Sequence, residues 1–267
     1  MGLWTLTHLY QLAATLAVFA VVSVVLAKVL GRKPERIRYI PLQVIAVTLL
    51  ALEVGKQICS FRDGSYDLYA LPFHYCSLFL YLLPFHAFYH GKHSHLTDAA
   101  AFGCLASLVL DMLLMPDVIY SAGNIKNYFG SFMDFHTVTF HNLVILYFML
   151  TVALRLCELR TRHDLGVMSG FLAVYVTVAA ILSYTLKVNF HNLYQCNIPF
   201  VESFRLAVIE KIGVLGTVLY VVVLFILTIL FAYAAYFLAK GVIAGLGKLT
   251  DKGNKDESAL SCEEAGV

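Results

Sequence analysis

Leu71-Pro72-Phe73-His74-Tyr75-Cys76-Ser77 opens an apolar stretch that continues through Leu-Phe-Leu-Tyr-Leu-Leu-Pro-Phe to residue 85, and its reading decides the fold class. A membrane helix gains nothing from a His and a Cys in its first turns, so their presence points to a chemical role. The surrounding chain has the same character: 60% of its residues are hydrophobic and 13% charged, with a mean hydropathy of +0.78. Such a composition excludes a water-soluble globular domain and requires an integral membrane protein.

Apolar runs of about 17 to 30 residues, enough to cross roughly 30 Å of hydrocarbon, begin near Leu9, Ile40, Pro72, Asp98, Thr139, Leu165 and Ala207. The expected fold is therefore all-α, a bundle of seven transmembrane helices over residues 1–246. Residues 247–267 are rich in Lys, Asp, Glu, Ser and Gly, and are expected to form a disordered cytosolic tail. The last run exceeds one crossing and carries Glu210 and Lys211 early, so its start is read as interfacial or cavity-lining.

Seven crossings put Lys28, Arg32, Lys33, Arg36, Arg38, Lys92, Arg155, Arg160, Arg162, Lys240, Lys248, Lys252 and Lys255 on one side, 13 of the 19 Lys and Arg. Basic residues are retained in the cytosol, which places the N-terminus outside and the C-terminus inside. The first run is long and lacks a basic leader region, so it reads as a span and not as a cleaved signal. The net charge of +2 belongs to short loops and the tail, which argues against nucleic acid as a partner. Six cysteines without CxxC spacing indicate neither a zinc ribbon nor a disulfide framework, although Cys59 and Cys196 both fall on the outer side. His86, His90, His93 and His95 read as a solvated inner turn.

Glu53 and Lys56, His74 and Cys76, Asp111, Asp134, His136 and His141, Lys187, and Glu202 with Arg205 all fall at the outer ends of their spans. Ionisable groups in hydrocarbon cost several kcal/mol unless paired or hydrated, so their coincidence at one depth implies a shared polar cavity. Pro72 suits the first helical position, which would set Cys76 about four residues inside the helix, where the dipole favours a thiolate. His74 is two residues from Cys76, about 200° around a helix, so the partner imidazole must come from another span. His141 and His136 are the candidates, with His141 preferred because it lies deeper in the apolar run.

Leu71-Pro72-Phe73-His74-Tyr75-Cys76, Met115-Pro116-Asp117, His141-Asn142-Leu143, and Asn192-Leu193-Tyr194 with Pro199 together resemble the YwaF-type bacterial seven-helix proteins. Those are similar in turn to the eukaryotic transmembrane-protein-164 acyltransferases. The resemblance covers spans two to seven and implies an enzyme that moves fatty acyl chains between phospholipids and lysophospholipids through a cysteine thioester, with no cofactor. It assigns Cys76 as nucleophile and His141, with His136 beside it, as the base. Lys56, Lys187, Arg205 and His136 are candidate donors to an oxyanion or a headgroup phosphate. His74, Asn189, Asn192 and Tyr194 are candidate substrate-binding residues. The membrane would be the cell membrane in a bacterium and the endoplasmic reticulum in a eukaryote.

Two other classes compete. A zinc-dependent lipid hydrolase would recruit His74, His136, His141 and Asp111 from different helices. A transporter or ligand-binding protein would use Glu53, Asp111, Glu210 and Lys211 as a path, but the inner halves of the spans are expected to be apolar.

Overall fold

The computed structural model describes residues 4–62, 64, 66–196 and 199–264, with side chains described as far as residue 247. The expected tail lies, from residue 248 on, outside the residues whose side chains are described. The described residues are helical with turns between them and contain no strand.

Helix α1 (Leu6–Leu30) starts where the Thr5 hydroxyl accepts a bond from the His8 amide. Only His8, Leu12 and Ser23 are buried on it, so most of its surface faces outward. Its long polar ties are His8 Nε2 to the Tyr120 carbonyl at 3.1 Å and Gln11, which accepts from the Tyr120 hydroxyl at 2.7 Å and donates to Asn142 at 3.2 Å. Gly31 to Pro34 breaks the chain before a single turn, Glu35–Arg38, and α2 (Ile40–Arg62).

The third expected span differs. Proline at residue 72 does not begin a helix: the chain stays extended through His74 (φ −73°, ψ 162°), makes one 3-10 turn at Tyr75–Ser77, and only then enters α3 (Leu78–Phe88). The apolar helical segment Tyr75–Phe88 is about 21 Å long at 1.5 Å per residue, short of a bilayer. Its end nonetheless reaches the start of α2, where Gln43 Nε2 donates to the Ala87 carbonyl at 3.1 Å and the Tyr39 ring stands 4.4 Å from His90. Six helices among the described residues are long and apolar enough to cross a membrane: α1, α2 with its preceding turn, and those at Ser94–Leu114, Phe132–Ala153, Thr161–Leu186 and Val214–Gly247.

Helix α4 (Ser94–Leu114) is the axis of the bundle, buried continuously from Ala99 to Leu108. Its small residues permit close approach: a side chain at Gly103 would overlap the Met168 sulfur, which belongs to α6 (Thr161–Leu186). Pro116 ends α4 and heads the turn Pro116–Ile119. Ser131 then caps α5 (Phe132–Ala153), and Asp134 ties that cap to the loop by accepting from Asn124 and Asn127, each at 2.5 Å. At the other end of α5, Arg38 Nη1 satisfies the Leu154 carbonyl at 2.6 Å.

The last expected span is two helices. Gly213, at φ +57°, turns α7 (Pro199–Ile212) back onto α8 (Val214–Glu264). Val214–Gly247 is the membrane-length part of α8. Gly216 is the close point of this hairpin: a Cβ there would lie 2.9 Å from the Val208 carbonyl oxygen and 3.0 Å from the Ile209 Cα. Backbone cannot retreat as a flexible side chain can, so Gly216→Ala is expected to cost about 1–3 kcal/mol. In a detergent melt that is a loss of roughly 5 °C, while Gly245→Ala, in open space, leaves Tm unchanged.

The ends of the bundle expected to face the cytosol are more polar than the apolar halves read from the sequence. His86 is buried, not part of a solvated turn; its Nδ1 is 2.6 Å from the Tyr147 hydroxyl and its Nε2 is 3.6 Å from Asp98. Asp164 accepts from the Arg160 amide and the Tyr236 hydroxyl, both at 2.7 Å, pinning α8 to the start of α6. The Lys240 ammonium adds a bond to Thr161. Fully buried Leu78, Leu83, Ala101 and Leu105 separate these groups from the polar residues of the outer half.

Candidate active site

A cavity of about 520 Å³ lies in the half of the bundle expected from the sequence to face outward. Its walls bring together Cys76, His141, His136, His74, Lys56, Asn189 and Asn192 of the expected site, with Glu53 and Asp111. Lys187, Tyr194 and Arg205 stand outside it. Lys187 is the exposed left-handed cap of α6, Tyr194 leans on Tyr184, and Arg205 pairs with Glu202 at 2.7 and 2.6 Å over the Tyr220 ring. The Arg205 pair also fixes the loop, because Glu202 accepts from the Cys196 amide at 2.7 Å.

Each polar wall residue is aimed by its local backbone. Because His74 lies ahead of the helix, the 200° separation expected between it and Cys76 does not apply, and both face the cavity. His74 Nε2 donates to the Tyr69 carbonyl at 2.9 Å, and its own carbonyl accepts from Tyr175 at 2.7 Å. Tyr175 is near the middle of α6, which sets this extended segment well below the outer surface. Cys76 sits in the 3-10 turn two residues before α3, so the positive end of that helix still points at it, from one turn further out than expected. Lys56 and Glu53 line the same cavity.

Both candidate bases lie on α5, His136 included, and with Thr137 and Phe140 they form one strip of wall. His141 Nδ1 is 2.6 Å from the Thr137 carbonyl. A carbonyl only accepts, so Nδ1 carries the proton and Nε2 keeps a free lone pair. His136 is held differently: its Nε2 is 3.5 Å from a Glu53 carboxylate oxygen. Glu53, itself buried, also accepts from Lys56 and from Gln57, each at 2.7 Å, and Gln57 is fixed by Tyr66 and the Ala70 carbonyl. Among the described residues no hydrogen bond joins Cys76 to either histidine, and no group of three or more His, Cys, Asp or Glu stands close enough to share a metal ion. Cys59, Cys76, Cys104, Cys157 and Cys196 are all free, so Cys59 and Cys196 are not paired.

The sequence reading missed His191, Tyr75 and Tyr69 as wall residues. His191 and Asn192 are consecutive residues at φ +53° and +56°, where the chain after α6 dips back into the bundle. Two successive non-glycine residues in that region are costly and persist only where the surroundings hold them. Here the His191 ring stacks 5.2 Å from Tyr75, and Tyr220 donates to the Asn192 carbonyl at 2.6 Å. No sequence periodicity carries this conformation.

Burial, reinforced by nearby His74, pushes the His191 imidazole down to about 4. The folded state therefore keeps His191 neutral where the unfolded chain, with an ordinary pKa near 6.5, binds a proton. Stability from this source is fully present above pH ~6.5 and is lost as pH falls towards 4. His191→Asn suits the left-handed backbone and does not titrate, so its Tm is expected to fall less than wild type between pH 7 and 4.5. Parallel pH profiles for the two proteins would refute the assignment.

Six membrane-length apolar helices gathered around this polar cavity define an integral membrane protein. The chain belongs to the TMEM164 family, whose model matches residues 3–234. The match extends the resemblance read from the motifs to α1 and ends within α8. No curated protein and no solved structure matches the chain.

Proposed function

We propose that the protein is a membrane-embedded acyltransferase that moves fatty acyl chains between phospholipids and lysophospholipids, with Cys76 as nucleophile. The observation that supports this reading is that Cys76 and His141 line one cavity, with His141 Nδ1 held on the Thr137 carbonyl so that Nε2 can act as a base. His141 takes the thiol proton, and the thiolate attacks an ester carbonyl of the donor phospholipid. The tetrahedral oxyanion collapses, the ester C–O bond breaks, and the departing lysolipid alkoxide recovers the proton from His141. In the second half His141 deprotonates the acceptor's hydroxyl, whose oxygen attacks the thioester; the C–S bond breaks and the thiolate is reprotonated.

His136, oriented by Glu53, is the second imidazole of the site. Lys56 supplies positive charge beside the thiol, and Asn189, Asn192 and His74 bind the polar part of the lipid. Lys187, Tyr194 and Arg205, outside the cavity, shape the loop over it. Seven crossings with the N-terminus outside and the C-terminus cytosolic fit this arrangement, because the chain from Arg62 to Tyr89 runs the length of α2 although only part of it is helical.

The test is to incubate purified protein with phosphatidylcholine labelled in its acyl chain, with and without lysolipid. A hydroxylamine-sensitive label on the protein, chased into phospholipid by lysolipid, is expected. Neither label nor product across several lipid classes would overturn the proposal.

A further inference from the structure

The cavity has two parts of opposite character. Its polar part is formed by Glu53, Lys56, His136, His141 and the loop at 189–192, all described above. Its other part is apolar and runs along α8 from Leu224 through Leu227 and Thr228 to Phe231, roughly 10 Å of helix, facing Leu108 of α4. Thr228 does not spoil this character, since its hydroxyl is spent on the Leu224 carbonyl at 2.9 Å.

The shape follows from how α4 and α8 meet. At their inner ends they touch, with Phe102 against Tyr236 at 5.5 Å and Ala232 fully buried. Further out they part, and the space between them is this apolar arm. Two residues of its wall are widely exposed: Leu227, 56%, and Val118, 61%. Exposure of wall residues places an opening of the cavity beside them, and Leu227 lies within the membrane-length segment Val214–Gly247.

We infer that this arm, framed by Leu108, Leu224, Leu227, Thr228 and Phe231, binds one hydrocarbon chain of a membrane lipid, which enters sideways between α8 and the Pro116–Ile119 turn. The inference rests on the acyl-transfer reading for the purpose of the chain, and adds its route and its seat. An amphipathic ligand fits the gradient: its polar end lies among Lys56, His136 and Asn192, and its chain follows α8 inward from Cys76. Leu227 and Phe231 would then govern which chain lengths are accepted.

The protein, and Cys76→Ala beside it, are reconstituted in phosphatidylcholine nanodiscs spiked with a phosphatidylcholine carrying a diazirine near the end of one acyl chain. After irradiation, labelled positions are mapped by peptide mass spectrometry. Label on Leu108, which is fully buried from the outside, together with Thr228 or Phe231, is expected in both proteins. Leu227→Trp should lower the Leu108 label at least about fivefold without lowering label on the outward face of α1, which serves as the control for an intact bilayer contact. Label confined to outer-surface residues, with none at Leu108 in the unmutated protein, overturns the inference whether or not the tryptophan variant folds. Because Cys76→Ala cannot form a thioester, interior labelling in that variant supports the arm even if acyl transfer itself fails; acyl transfer with no interior label sinks the arm alone.

Discussion

Cys76→Ala is expected to form no acyl-enzyme and to lose phospholipid product by at least about 1000-fold, because the substitution removes the nucleophile and leaves the fold in place. His141→Ala should fall by roughly 100- to 10,000-fold, the range set by losing a general base. The two losses should not add: once the thiol is gone, removing its base costs little more. Thermal melts of each variant guard against misreading an unfolded protein as an inactive one. Full transfer by Cys76→Ala would end the thioester reading outright, whereas loss in His136→Ala with none in His141→Ala would move the base to the imidazole that Glu53 orients.

The second large effect is on stability. Glu53 is buried with Lys56 and Gln57 bonded to it and His136 at 3.5 Å, so Glu53→Ala strands an ammonium in a poorly hydrated wall. Breaking such a pair from one side costs about 3–5 kcal/mol, and a Tm loss of roughly 10 °C is expected in detergent. Removing both charges should cost less than removing one: Glu53→Ala with Lys56→Met is expected to regain more than half of the loss. Additive losses in the double variant would show that the carboxylate acts through packing and not through charge.

The apolar runs gave away the membrane class and the places of the long helices, because a span must bury its whole backbone in its own hydrogen bonds and so leaves a long, uniform signature. The same uniformity hid the third segment. Pro72-Phe73-His74 is as greasy as a helix, but its neighbours Tyr175 and Tyr69 satisfy it as extended chain, and those partners lie about 100 residues away or in a separate turn. Gly213 could not be told from the glycines at 241 and 245 by sequence; only its backbone angle makes it the corner of a hairpin. In the site, the residues that the spans themselves position, Cys76, His136, His141 and Lys56, were legible as polar intrusions. Lys187, Tyr194 and Arg205 were read as donors or headgroup ligands, but they line no part of the cavity. His191 went unnoticed because its place depends on two left-handed residues in succession.

The hydrogen bonds between α8 and α6 gather near one end of α8, where Asp164 and Thr161 hold Tyr236 and Lys240 and Ser169 meets the Tyr233 hydroxyl at 2.7 Å. Nearer its glycine corner α8 is held instead by the Tyr220 hydroxyl on the Asn192 carbonyl at 2.6 Å and by apolar packing of Val221, Leu224 and Phe225 on Val176, Ala179 and Leu193. The stretch from Leu224 to Phe231 is thus a beam clamped at both ends, and Tyr236→Phe would slacken one clamp about 14 Å from Leu227 without touching a residue that lines the cavity.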